Sequence, residues 1–142
     1  MTLGRARANL LAVFLIGFIA QAAMTVVVYL NRAITSADVT NLLVTLLSVY
    51  SVPMAVMLGG LFASKISGKA SAKNQPAFLA ALVLATIWNI LLLSRFALFV
   101  YAGFNTAVDD SAEKVSAYVD QIAKASSFLV AGSLAYFFSG AR

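Results

Sequence analysis

Cysteine and histidine are both absent from this 142-residue chain. Without cysteine it has no disulfide, thiolate metal site or thiol nucleophile, and without histidine it lacks the commonest metal ligand and the usual general base near neutral pH. Charged residues are scarce as well, at 11% of the sequence, whereas soluble domains carry about 25%. We therefore expect a protein that is not an enzyme and that holds no cofactor or metal.

Apolar residues dominate what is present. They make up 62% of the chain, and the mean hydropathy is +0.94, so the polar surface is too small to cover a water-soluble globule. The net charge of +5 raises the question of nucleic acid, but the basic residues are scattered over loops without interleaved aromatics, and no nucleic-acid partner is expected. The composition predicts an all-α integral membrane protein, with the lipid bilayer as its surroundings.

Four apolar stretches are long enough to be transmembrane helices. They lie at about 9–30, 40–64, 76–101 and 122–139, within a single domain that covers 1–142. The first stretch also resembles a secretory signal, with Ala20-Gln21-Ala22 as a small-residue cleavage site. Its continuation to Leu30 favours a span, because about twenty apolar residues cross a hydrocarbon core of ~30 Å.

The fourth helix is expected to be longer than its span. Residues 112–138 contain no proline and one glycine, which predicts one continuous helix. Val115, Val119 and Ile122 fall on one face of its first part, and charged residues occupy the other positions. This amphipathic part predicts a segment that extends outside the membrane.

Charge is distributed unevenly between the two sides of a four-span chain. The side that holds both termini carries six bases and no acid, namely Arg5, Arg7, Lys65, Lys69, Lys73 and Arg142. The opposite side carries all five acids, Asp38, Asp109, Asp110, Glu113 and Asp120, together with the bases Arg32, Arg95, Lys114 and Lys124. Because basic loops stay on the cytoplasmic side, we expect both termini in the cytoplasm and a location in the plasma membrane, the inner membrane of a bacterium.

Small residues recur every fourth position in two of the spans. The second span has Ser51, Ala55, Gly59 and Ala63, and the fourth has Ser127, Ala131 and Ala135. Residues four apart share one helix face, and faces of small residues allow helices to pack closely in lipid. We interpret the first series as the packing spine of the bundle, and the two series together predict a homo-oligomer.

Polar residues inside the spans are the candidate functional residues. Arg95 is the only charge well inside an apolar stretch, while Gln21 and Asn89 lie near mid-depth. Gly17 and Thr25 share a helix face with Gln21. Each residue has two interpretations. Arg95 either snorkels or pairs with an outer acid such as Asp110 or Asp120, or it lines an ion path. Gln21, Thr25 and Asn89 form either a pore lining or a polar seam between helices.

The five tyrosines are expected in an interfacial belt, because most lie near the ends of predicted spans. They are Tyr29, Tyr50, Tyr101, Tyr118 and Tyr136. Aromatic side chains of this kind favour the level of the lipid headgroups.

These features favour a homo-oligomeric channel or pore-like protein, because four helices leave little room for a path through one chain. The alternative is a non-catalytic membrane anchor or scaffold subunit with a membrane or soluble protein partner. A small-solute transporter is a third possibility, although the spans contain no carboxylate that would couple transport to an ion.

Overall fold

A computed structural model of the chain describes residues 3–31, 33–63, 75–105 and 111–139, which form four α-helices. Their bounds are Leu3–Leu30 for α1, Ser36–Ala63 for α2, Gln75–Phe104 for α3 and Ala112–Ser139 for α4. The predicted all-α class is confirmed for these residues. α1 begins before the predicted span because its polar first turns, which include Arg5 and Arg7, are also helical.

A reciprocal cap fixes the start of α2. The backbone N–H and the hydroxyl of Thr35 both donate to Asp38 Oδ2, at 2.9 and 2.7 Å, while the N–H of Asp38 donates to Thr35 Oγ1 at 3.3 Å. These bonds satisfy donors that a helix start leaves unpaired. α4 starts more simply, with the N–H of Lys114 donating to Ser111 Oγ at 3.3 Å.

The helices pack as a four-membered ring in which α1 and α4 each contact α2 and α3. α1 and α3 run in the same direction, because Phe14 lies beside Trp88 and Val28 lies beside Gly103. α3 and α4 are antiparallel, since Phe78 near the start of α3 contacts Phe137 near the end of α4. The short 31–35 connection reverses the chain between α1 and α2, so α2 and α4 also run in the same direction.

One end of the bundle is acidic. Here α1 and α3 end and α2 and α4 begin. Asp38 and Glu113 lie in the first turns of α2 and α4, and Asp120 lies two turns further along α4. We call it the acidic end. The opposite end, where α1 begins with Arg5 and Arg7, is the basic end.

Apolar side chains fill the interior and also cover much of the exterior. The buried cluster includes Leu10, Leu46 and Leu92. Ile16, Leu79 and Leu98 are each more than 60% exposed. In water this exterior would be an extended apolar surface, so it is the surface of a membrane protein.

Three helices are long and apolar enough to cross a membrane: 5–30 in α1, 36–59 in α2 and 76–104 in α3. α4 has only a shorter apolar stretch, Phe128–Phe137. The membrane class is thus supported, while a fourth span stays a prediction. The Phe78–Phe137 contact favours a fourth span, because this contact places the end of α4 at the depth at which α3 begins.

The first part of α4 does not stand apart from the bundle. Ala112, Val115 and Val119 are buried in the common core, and Tyr118 lies beside Arg95 of α3. Its apolar face packs on α2 and α3, because those helices also continue to the acidic end. The sequence-based expectation that this part of α4 extends outside the membrane stays a prediction.

Candidate functional site

A buried hydrogen-bonded network joins three helices at its centre. Gln21 Nε2 of α1 donates to the hydroxyl oxygen of Tyr50 of α2 at 2.6 Å, and this hydroxyl donates to Asn89 Oδ1 of α3 at 2.7 Å. All three side chains are at most 4% exposed. The phenol thus acts as donor and acceptor at once, and two of the four candidate polar residues are held together through it.

Local bonds complete the network. Asn89 Nδ2 donates to the carbonyl oxygen of Ala85 at 2.9 Å, and Thr25 Oγ1 donates to the carbonyl oxygen of Gln21 at 3.0 Å. Thr25 is fully buried, like Gln21. Asn89 is therefore restrained both by Tyr50 and by its own helix, whereas the bond of Thr25 lies within α1.

Gly17 is the reason that Asn89 fits against α1. A Cβ atom built on Gly17 would lie 1.7 Å from Asn89 Oδ1 and 2.9 Å from the hydroxyl oxygen of Tyr50. Even alanine would therefore overlap with the amide. The predicted face of Gly17, Gln21 and Thr25 is a tight seam in this structure, and a pore-lining role for Gln21, Thr25 and Asn89 stays a prediction.

Aromatic rings surround the phenol. The Trp88 ring centroid lies 5.0 Å from that of Tyr50. Phe14 and Phe18 of α1 contact Tyr50 edge to face, at 6.2 and 5.6 Å between centroids. Hydrogen bonds are stronger in such surroundings, and unpaired polar atoms are less tolerated.

Arg95 lies at the junction of α3 and α4. It is half-buried, and its Cζ atom is 5.8 Å from the centroid of the Tyr118 ring, which is within cation–π range. Asp120, one of the acids proposed as its partner, pairs with Lys124 of the same helix. Asp110, the other, lies outside the described residues. This placement accords with a structural role for Arg95, and a role in an ion path stays untested.

The small residues of α2 do not face the other helices. Ser51, Ala55 and Gly59 are all exposed, and a Cβ on Gly59 would meet no described atom within 4 Å. In α4, Ala135 is exposed and Ala131 is half-buried, whereas the side chains of Ala63 and Ser127 lie outside the described part. Within one chain the α2 series is therefore not the predicted spine, and packing against another molecule stays a prediction.

A polar groove of about 590 Å³ runs between α2 and α4 from the acidic end. Its carboxylates are Asp38, Glu113 and Asp120, and its hydroxyls are Thr45, Ser48 and Ser116. The hydroxyl oxygens of Thr45 and Ser116 are 2.9 Å apart and hydrogen-bonded, which ties the two helices together. In the described ranges, no three acidic side chains are placed to hold a metal ion. We call this groove the acidic groove.

The acidic groove continues into the small residues of the same two helices. Spacings of seven and four place Asn41, Ser48, Ala55 and Gly59 along one side of α2. We call the combined surface the α2–α4 face. Most of its members are polar or small and at least partly exposed: Asp38, Asn41, Thr45, Ser48, Ala55, Gly59, Glu113, Ser116, Asp120, Ala123 and Ala131. Valines interrupt it on α2, where Val44 and Val49 line the groove and the exposed Val52 lies between Ser48 and Ala55.

Two buried residues were not expected in the core. Tyr50 was expected in the interfacial belt, but it is 1% exposed at the centre of the bundle. Arg7 was placed in a polar segment before the first span, but it is also 1% exposed. The spacing of neighbouring apolar residues could have indicated that both are buried. Tyr50 follows Leu42 and Leu46 at a spacing of four, and Arg7 precedes Leu10 and Phe14 at spacings of three and four.

Comparisons with known proteins identify no relative: no family model, no curated protein and no solved structure matches this chain.

Proposed function

We propose that the protein forms a homo-oligomeric, cation-selective pore in a membrane, with the α2–α4 face of each subunit directed towards the central axis. The observation that carries the proposal is the continuity of this face. Carboxylates and hydroxyls at the acidic end lead into the exposed Ala55 and Gly59 along α2.

The remaining exterior differs from this face. At comparable depth, α1 and α3 present Ile16, Ile19, Ile90 and Leu98 to the surroundings. Lipid tails offer no partner to a hydroxyl or a carboxylate, so the α2–α4 face favours water or protein over lipid. A ring of subunits supplies both, because protein covers the sides of the face and water fills the axis.

The charge of the acidic groove favours cations. Asp38, Glu113 and Asp120 line it, and only Asp120 pairs with a base in the bonds described above. Rings of acidic side chains at a pore mouth raise the local concentration of cations and repel anions. Six of the ten bases lie on the opposite side of the chain. The other four, Arg32, Arg95, Lys114 and Lys124, share the acidic side with five acids, so five acids and four bases leave that side a net charge of −1 per subunit.

The interior of one subunit is a poorer candidate for the path. The polar residues around Tyr50 are bonded to one another. Buried apolar side chains close the core on both sides, with Leu10 and Met57 towards the basic end and Val28 and Leu42 towards the acidic end. Conduction between subunits leaves this core intact.

Single cysteines test the path directly, because the natural chain has none. In planar-bilayer recordings of Ser48→Cys, a cationic thiosulfonate reagent is expected to reduce the unitary current, since Ser48 lines the acidic groove. Leu98→Cys is the matched control. Leu98 is exposed on α3, and the Arg95–Tyr118 and Thr45–Ser116 contacts place it at a similar depth. Block at both positions, or at Leu98 alone, would contradict the proposed lining.

Selectivity gives a second readout. Glu113 is exposed at the first turn of α4 and lines the acidic groove. Glu113→Gln is expected to lower the cation-to-anion permeability ratio, measured from the reversal potential in asymmetric KCl. An unchanged reversal potential in a conducting variant would remove the groove from the path.

A membrane scaffold subunit is the second candidate function. The exposed Ala55 and Gly59 of α2 support it, because small residues allow the helix of a different protein to approach closely. A well-folded protein that gives no current and that native mass spectrometry finds monomeric would favour this function over the pore.

A further inference from the structure

Two polar atoms in the core have no hydrogen-bond partner among the described residues. They are Gln21 Oε1, an acceptor, and Trp88 Nε1, a donor. Gln21 is fully buried and Trp88 is 3% exposed. Buried polar groups of this kind are normally paired with protein or with ordered water, so both atoms require an explanation.

Both side chains adjoin the same phenol. Gln21 bonds to the hydroxyl of Tyr50 through its amide nitrogen, and the Trp88 ring packs against the Tyr50 ring. Turning the amide of Gln21 over does not resolve the matter, because Nε2 would then be left as the unpaired atom. The Tyr50 hydroxyl and Asn89 Oδ1 each have a lone pair left for a further bond.

We propose that the centre of each subunit binds water, which accepts a hydrogen bond from Trp88 Nε1–H and donates one to Gln21 Oε1. Water fits because it donates and accepts at the same time, and buried waters typically bond to two to four polar groups. The site lies beside Tyr50, and apolar residues separate it from both ends of the bundle. The inference concerns a single subunit and holds whether or not the protein forms a pore.

The test uses Trp88, which is the only tryptophan in the chain. Protein labelled with ¹⁵N-tryptophan and reconstituted in lipid nanodiscs gives one indole N–H signal. We expect a nuclear Overhauser cross-peak between this indole proton and the water resonance. A cross-peak to protein or lipid protons alone, with none at the water frequency, would overturn the proposal.

Two variants separate bound water from other sources of the signal. Tyr50→Phe removes the nearest hydroxyl whose proton exchanges with water. If the water cross-peak remains in this variant, the signal does not come from the Tyr50 hydroxyl. If the variant folds but the cross-peak is lost, direct contact between the indole and water is refuted. Gln21→Leu removes the proposed acceptor, and we expect loss of the cross-peak. Thr25→Val is the matched control, because Thr25 is buried one turn from Gln21 but bonds only within α1; its cross-peak is expected to remain.

Discussion

The buried hydroxyl of Tyr50 joins three helices of a bundle whose core contains few polar side chains. Its hydroxyl bonds to Gln21 and Asn89 and thereby joins α1, α2 and α3. Hydrogen bonds between membrane helices contribute about 0.6 kcal/mol each on average. Their larger effect is on specificity, because a rotation of any one helix would leave a buried amide or hydroxyl unpaired.

Gly17 gives the sharpest prediction at the level of single residues. Gly17→Ala places a methyl group 1.7 Å from Asn89 Oδ1, so the amide must move and its bond to Tyr50 is lost. We expect a decrease of about 1–3 kcal/mol in the free energy of unfolding. The measurement is an unfolding titration of the protein in mixed micelles.

The matched control for this variant is Gly132→Ala. Gly132 is also inside a helix, but a Cβ there meets no described atom within 4 Å. Alanine favours the helix over glycine by about 1 kcal/mol, so this variant is expected to be as stable as the natural protein or more so. Equal destabilisation by both substitutions would show that the close contact at Gly17 is not the cause.

Among the helices, α2 combines three tasks. Thr35 and Asp38 fix its start, Leu42, Leu46 and Tyr50 face the core, and the opposite side carries the small residues. A helix that is apolar on every side reveals little through amphipathicity, since lipid-facing and core-facing positions look alike. Residues that are not large and aliphatic, such as Tyr50 and Gly59, indicate which side of α2 faces the core.

The sequence predicted where the helices lie along the chain better than it predicted which side of each helix faces the core. Long apolar runs sufficed for α1, α2 and α3, because few other structures accommodate them. It also placed Gly17, Gln21 and Thr25 on a common face. The packing direction of Ser51, Ala55 and Gly59 was wrong within one chain, because small residues suit contact with any helix, including one from another molecule. Tyr50 was missed because a tyrosine within a span was treated as an interfacial residue.

Gly59→Leu tests α2 as an element of assembly. A Cβ on Gly59 meets no described atom within 4 Å, so we expect the subunit to fold normally, with a change of about 0.5 kcal/mol or less. Contacts between copies through the α2–α4 face would be blocked, and native mass spectrometry is expected to show a shift from oligomer to monomer. Gly132→Leu is the control, because Gly132 is exposed on α4 away from that face. If Gly59→Leu assembles normally, α2 is not an interface.

The whole molecule is polarised by charge. In the described residues, Asp38, Glu113 and Asp120 lie towards one end of the bundle, with Lys114 and Lys124 among them, and Arg5 and Arg7 lie at the other end. The loop residues Lys65, Lys69 and Lys73 join α2 to α3 and extend the basic set. Basic loops are retained on the cytoplasmic side during insertion. We therefore expect the proposed acidic mouth to face outwards, where a cation from outside meets it first.

Orientation is testable with two single-cysteine variants in intact cells. Asn31 is exposed where α1 meets α2 at the acidic end, so Asn31→Cys is expected to react with a membrane-impermeant maleimide added from outside. Lys69→Cys lies in the basic connection between α2 and α3 and is expected to react only after the cells are permeabilised. The absence of natural cysteine makes each signal specific to one position.

The reverse labelling pattern would turn the acidic groove towards the cytoplasm, and the proposed pore would then draw its cations from inside the cell. Labelling of both positions from outside would contradict a membrane crossing by α2, and with it the four-span arrangement.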